Sequence, residues 1–296
     1  MLKESLIQVF DDETTEKHKL CCGFLRLDLL HPIVSGNKVF KLKYYIEEAQ
    51  INKKIGLVTL GGSHSNHLVA SAYAAMQANL KSIGLVRGER PEHLSTTLQD
   101  CLTYGMELVF ISRETFDKTT VDLLQKQYPA HQVIEQGGYG RLGMRGASEI
   151  LNLNGTDQFD FVVAASGSGT MGAGLISNAR SHQRVILMSV LKNNFSILDE
   201  INALLESIEK TKPAYDMFFD FHLGGYAKKN SDLFDKMNSF YNTHQIPTDF
   251  VYTGKLIYGF YQLMKASFFP KKSKILLIHS GGLQGNRSLT KNELIY

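Results

Sequence analysis

Cysteine is scarce in this 296-residue chain and poorly placed for cross-linking. Cys21, Cys22 and Cys101 are odd in number, and the only close pair is adjacent, which suits neither a disulfide framework nor a zinc ribbon. They read as buried reduced thiols. No stretch approaches the roughly 18 apolar residues of a membrane span, and the amino terminus MLKESLIQVF is too polar for a secretory signal. The expectation is a cytoplasmic protein with no membrane partner. An excess of one charge is lacking too: 32 Lys plus Arg against 29 Asp plus Glu leave +3, with no basic block interleaved with aromatics, so nucleic acid is not implied. No GK[ST] follows a glycine loop, which excludes a P-loop, and no internal repeat or low-complexity linker divides the chain.

What is present is a core's worth of apolar residues, 43%, arranged as short apolar runs alternating with helical periods. IGLVTL (55–60), SIGLV (82–86), ELVFI (107–111) and HQVIE (131–135) read as strands, separated by helices over 65–80, 94–104 and 116–127. A helix through MRGASEILNL follows. A second series starts at FDFVVAAS (159–166) and runs through a helix from Thr170, RVILMSV (184–190), a helix near 195–209, the run MFFDFHL (217–223), helices over 231–242 and 255–267, and KILLIHS (274–280). Such alternation predicts an α/β protein of two domains, each an open twisted, mostly parallel sheet with helices on both faces. By sequence alone the units divide near residue 150, in the turn-rich NLNGTDQ.

In such sheets ligands bind beyond the carboxyl ends of the strands. Three loops there are rich in Gly, Ser and Thr. Gly61–His67 precedes a helix that Ser65 or Asn66 can cap, and a helix amino end attracts anions; the alternative is a plain cap. His64 and His67 stand three apart, but no third ligand clusters with them, and no metal is expected. Ser166, Gly167, Ser168, Gly169 and Thr170 form a second loop whose backbone amides and hydroxyls suit a phosphate. Gly167, Gly169 and Gly172 also match GxGxxG, yet the next strand ends in Ser189–Asn193 without the ribose-binding acid that a dinucleotide site wants. The third is His279-Ser280-Gly281-Gly282.

One further stretch, SGNKVFKLKYY, sets a lysine at a turn. Gly36 tolerates positive φ, and the turn would aim Lys38 inward, where lost hydration lowers its pKa and makes it a usable amine nucleophile. The alternative is a solvated basic helix face of Lys38, Lys41 and Lys43. A reactive lysine together with a phosphate loop narrows the cofactors to pyridoxal 5'-phosphate, whose aldehyde needs the amine and whose phosphate needs the loop.

These residues resemble the fold type II pyridoxal-phosphate enzymes (the tryptophan synthase β-like fold), in the branch of 1-aminocyclopropane-1-carboxylate (ACC) deaminases and D-cysteine desulfhydrases. The resemblance runs from about Arg26 to Asn286. LRLDLLHPIVSGNKVFKLKYY is similar to the signature around the cofactor lysine and implies Lys38 as the Schiff-base residue and Cα base. GGSHSNH implies Ser65 as a catalytic group touching substrate, Asn66 as partner of the cofactor's ring hydroxyl and His67 on the substrate side. SGSGT resembles the phosphate loop. Gly225-Tyr226 and Val251-Tyr252-Thr253-Gly254-Lys255 are similar to two active-site tyrosine segments, implying Tyr252 as catalytic, Tyr226 at the substrate and Thr253 beside the ring nitrogen. HSGG closes the pattern, with Ser280 and Gly281 at the substrate. Phe40 departs from it, standing where an arginine is usual, and the amino-terminal arm is short. The resemblance also implies a large domain of residues 1–42 plus 150–296, a small inserted domain of 43–149, and a homodimer. Because Thr253 and Ser280 are the hydroxyl residues of the desulfhydrases, it implies α,β-elimination on D-cysteine or a related small amino acid. ACC deamination stands as the alternative; an NAD-dependent oxidoreductase and a pyridoxal-phosphate protein with little turnover are more remote.

Overall fold

The computed structural model describes residues 6–206 and 214–296. The chain opens with β1 (Ile7–Phe10), α1 (Glu13–His18) and β2 (Cys21–Arg26), then α2 (Asn37–Ile51). It next builds β3 (Gly56–Gly61), α3 (Asn66–Gln77), β4 (Lys81–Arg87), α4 (Thr96–Thr103), β5 (Met106–Ile111), α5 (Arg113–Lys118), α6 (Val121–Gln127) and β6 (His131–Ile134). The remainder is α7 (Arg141–Ser148), β7 (Phe161–Ser166), α8 (Thr170–Asn178), β8 (Arg184–Ser189), α9 (Ile197–Glu206), β9 (Tyr215–Phe218), α10 (Ser231–His244), α11 (Thr253–Lys265) and β10 (Lys274–His279).

The strands form two sheets. One has the order β1-β2-β10-β7-β8-β9, the other β5-β4-β3-β6. Among the described residues every pairing is parallel except β1 with β2. The central strands are apolar on both faces because helices cover both; in β7, Val162 and Ala164 face one core cluster while Val163 and Ala165 face another. Turn chemistry starts the helices between strands: Ser65, Ser95, Ser112 and Thr120 each accept an amide hydrogen bond three residues on.

Four expectations change. The helix expected over 116–127 is two, because Thr119 is extended and Thr120 caps a fresh start. In MFFDFHL only the first residues are strand; Asp220–His222 form a 3-10 turn ended by Leu223 in the left-handed region. Strands β1 and β2 lie before residue 55, ahead of the first strand that the apolar runs predict. Cys21 is exposed at the start of β2, while Cys22 and Cys101 are buried. The expected end of the helix near 209 lies outside the described residues.

Helices α2, α7 and α8 pack in succession across the molecule. Gly146 permits the first contact: a Cβ there would fall 1.9 Å from the Phe40 carbonyl oxygen. Phe40 itself is buried in the main core with Leu25, Leu27 and Met144, so an apolar side chain fills the place where the resemblance expects an arginine.

Candidate active site

The carboxyl ends of strands from both sheets converge on one cavity of about 400 Å³. Lys38, Ser65, Asn66, His67, Ser166, Gly167, Ser168, Gly169, Tyr226, Tyr252, Ser280 and Gly281 all line it. Residues spread over more than 240 positions are thus brought together by sheet topology.

The lysine turn is built by backbone. Gly36 takes φ 67°, and a Cβ there would sit 1.9 Å from the Ser280 carbonyl oxygen, so the turn and the loop after β10 touch main chain to main chain. The Asn37 amide donates to the Ser280 carbonyl at 3.1 Å and the Gly36 amide to the Leu27 carbonyl at 3.0 Å. This clamp aims the Lys38 side chain into the cavity, with its amine on Asn37 Oδ1 at 3.0 Å. Burial pulls the Lys38 pKa down to about 8. Lys41, one turn on, is buried and donates to the Gly137 carbonyl at 3.0 Å. Its pKa falls well below the usual lysine range, by burial first and then by repulsion from Lys38. Of the three lysines Lys43 alone is exposed, and it pairs with Glu149 at 2.9 Å. The solvated-face alternative therefore holds for Lys43 and fails for Lys41.

On α3, Ser65 Oγ accepts the Leu68 amide at 3.3 Å and Asn66 Nδ2 donates to the Gly282 carbonyl at 3.4 Å, leaving Asn66 Oδ1 buried and unpartnered. His67 Nε2 lies 2.8 Å from Thr59 Oγ1, whose own proton goes to the Ile134 carbonyl at 2.7 Å. Thr59 can then only accept, so His67 carries its proton on Nε2 and leaves Nδ1 as a buried lone pair without a partner. Burial, and after it Lys38 and Lys41, hold His67 neutral. Among the described residues no group of three His, Cys, Asp or Glu side chains gathers as a metal site.

The loop after β7 turns at Gly169 (φ 69°) into the amino end of α8, and Ser166 Oγ within it is buried without a partner. Thr170 is buried outside the cavity lining, 3.2 Å from Ser168 Oγ. Tyr252 packs over Gly167 and meets Tyr226 edge to face, with ring centroids 6.1 Å apart. Burial first, then Tyr226, keep the Tyr252 hydroxyl protonated, its pKa well above the ordinary value.

Thr253 does not reach the cavity. Its hydroxyl donates to Asp249 Oδ1 at 2.6 Å and accepts the Asp249 amide at 2.7 Å, a reciprocal cap that starts α11. Both Asp249 oxygens are taken by that hydroxyl and by the amides of Val251, Tyr252 and Thr253. Ser280, by contrast, lines the cavity. Behind it, His279 accepts the Gly281 amide on Nδ1 at 3.2 Å and lies 2.8 Å from the Pro247 carbonyl through Nε2.

Gln136, Gly137, Asn194, Glu200 and Gln284 also line the cavity and were not foreseen. Gln136-Gly137-Gly138 is a glycine loop at the carboxyl end of a strand, the same signal that singled out the other three. Asn194, Glu200 and Gln284 carry no comparable sequence signal.

The cavity fits pyridoxal phosphate. Lys38 and Lys41 bring two amines with no carboxylate partner among the described residues. Gly137 stands between Lys41 and Ser168, so one amine borders the amide-rich amino end of α8, where a phosphate is stabilised. Ser166 Oγ and Asn66 Oδ1 are polar atoms awaiting partners.

Comparison with known proteins agrees. The sequence profile described as "Pyridoxal-phosphate dependent enzyme" matches residues 14–281. A Thermotoga maritima protein provisionally named 1-aminocyclopropane-1-carboxylate deaminase is 28% identical over 96% of this chain and 95% of its own. The Arabidopsis thaliana protein named bifunctional D-cysteine desulfhydrase/1-aminocyclopropane-1-carboxylate deaminase, mitochondrial, is 30% identical over 85% of this chain and 70% of its own. Among solved structures, an ACC deaminase homologue superposes with a TM-score of 0.79 at 24% identity, covering 96% of this chain and 90% of that one. An aspartate racemase, also pyridoxal-phosphate dependent, superposes at 0.64 with 16% identity, covering 94% and 90%. The two structures share the fold.

Proposed function

The chain belongs to the pyridoxal-phosphate-dependent enzyme family, with the type II fold, and from that premise we propose that it eliminates a β substituent from a small amino acid, D-cysteine or a close relative, consuming water and releasing pyruvate, ammonia and the leaving group, hydrogen sulfide for D-cysteine. The observation that carries this reading is Ser280 in the cavity lining, with the Asp249 carboxylate buried beside Gly282 and fully bonded to Thr253 and to backbone amides. Opening the ACC ring demands a stronger electron sink, which a carboxylate at the ring nitrogen favours and a hydroxyl does not.

Lys38 would hold the cofactor aldehyde; Ser166, Gly167, Ser168, Gly169 and Lys41 would hold its phosphate, and Asn66 its ring hydroxyl. When bound, pyridoxal phosphate supplies the conjugated ring that accepts the electron pair left at the substrate Cα. Lys38, with its lowered pKa, takes the substrate Cα proton as the β substituent leaves. Ser65 and the amino end of α3 meet the substrate carboxylate. Tyr252 stays protonated and donates across the cavity. The same reading takes residues 1–42 plus 150–296 as the large domain and residues 43–149 as the small domain of each subunit of a homodimer.

A second reading, ACC deamination, is favoured by the names of the Thermotoga and Arabidopsis relatives. Incubating holoprotein with equal D-cysteine and ACC separates the two. Pyruvate is expected; 2-oxobutyrate as the main 2-oxo acid would overturn the first reading in favour of the second.

A further inference from the structure

Lys255 is a buried cation that the chemistry above does not use. It is the third residue of α11, where the helix dipole opposes a positive charge, and only 1% of its surface is exposed. Such a placement is unfavourable unless the ammonium protons are satisfied. Their acceptors are two main-chain oxygens, Gly225 at 2.5 Å and Val190 at 3.4 Å. Burial brings the amine down to about 8, with Asp249 pulling the other way.

Both carbonyls belong to segments that line the cavity. Val190 leads into Leu191 and Asn194; Gly225 precedes Tyr226. The second segment lies outside any strand or helix and is conformationally stretched: Leu223, Gly224, Gly225 and Ala227 have φ of 47°, 91°, 112° and 51°. Leu223 and Ala227 adopt a left-handed region that is unfavourable for a residue with a side chain. Tyr226, in their midst, is half exposed. A stretched, half-exposed segment keeps one conformation only where something outside it determines that conformation.

We propose that Lys255 is a positioning residue: by gripping the Gly225 carbonyl it fixes Tyr226 against Tyr252 at the cavity mouth. Its bearing on the reaction rests on the reading of Tyr226 as substrate-facing, whereas its geometry can be tested without turnover. The chain has no tryptophan, so Tyr226→Trp places a single fluorophore on the segment. In that background Lys255→Met is expected to raise acrylamide quenching of the indole roughly twofold or more while far-UV circular dichroism stays the same. Should Lys255→Met fail to fold, Lys255→Gln, which keeps two donors on a shorter stem, is expected to raise quenching by a smaller amount. Quenching equal to that of the parent in whichever variant folds would overturn the assignment. In the holoenzyme, Lys255→Met added to Tyr226→Phe is expected to cost no further kcat/KM; additive losses would instead make Lys255 a stability residue independent of Tyr226, and overturn the proposal. Absence of turnover would count against the functional reading alone, because the quenching arm needs no substrate.

Discussion

Two hydroxyls, Thr253 and Ser280, look interchangeable in sequence and differ in place. Thr253 is spent on Asp249 at the start of α11, whereas Ser280 lines the cavity. Thr253→Val is expected to lower unfolding free energy by about 1–3 kcal/mol in urea titrations, since Asp249 loses a buried partner. Ser280→Ala is expected to change stability by less than about 0.5 kcal/mol and to lower kcat instead; the reverse pattern would return Thr253 to the cofactor. Lys38 gives a pH prediction at the same scale. With its pKa lowered to about 8, the neutral amine predominates above that pH, where an ordinary lysine would still be charged. Uptake of pyridoxal phosphate by apoprotein, followed by absorbance, should quicken about tenfold per pH unit below pH 8 and level off above it. A rise continuing to pH 10 would mean that Lys38 is not desolvated.

At the scale of elements, the lysine turn and the loop after β10 act as one piece because Gly36 lets their backbones touch. Gly36→Ala would set a Cβ 1.9 Å from the Ser280 carbonyl and force a side chain into φ 67°. Overpacking against backbone commonly costs about 1–3 kcal/mol, and the strained φ adds to it. The expected outcome is a fall in urea midpoint together with at least about tenfold weaker cofactor binding in a spectrophotometric titration. A fall in stability with unchanged affinity would uncouple the two loops. The strands and helices were legible where their periodicity was long and their caps explicit, as in β3 and α3. They were not where a cap restarts a helix, as at Thr120, or where an apolar run curls into a 3-10 turn, as at Asp220–His222: periodicity reports burial and not where the backbone bends.

At the scale of the molecule, the cavity draws on both sheets, with Asn66 and Gln136 following strands of the four-stranded sheet and Ser166 and Ser280 at the carboxyl ends of strands of the six-stranded one. A bound cofactor should therefore stabilise both at once. At a hundredfold excess over Kd the gain is about 2.7 kcal/mol, or a rise of about 5 °C in Tm. Hydrogen exchange should slow in β3 and β7 alike, and protection confined to one sheet would contradict a shared site. Local sequence by itself determined the alternating parallel architecture and the glycine loops at strand ends, because each depends on neighbours within a few residues, and it left Lys38 between an inward amine and a solvated helix face. Only the tertiary structure decided which hydroxyl residue lines the cavity, that Lys41 is buried while Lys43 is solvated, that Gln136 and Glu200 join the lining and that Lys255 reaches Gly225. Those outcomes depend on how far apart in space distant segments come to rest, and packing and hydrogen bonding between segments set that distance.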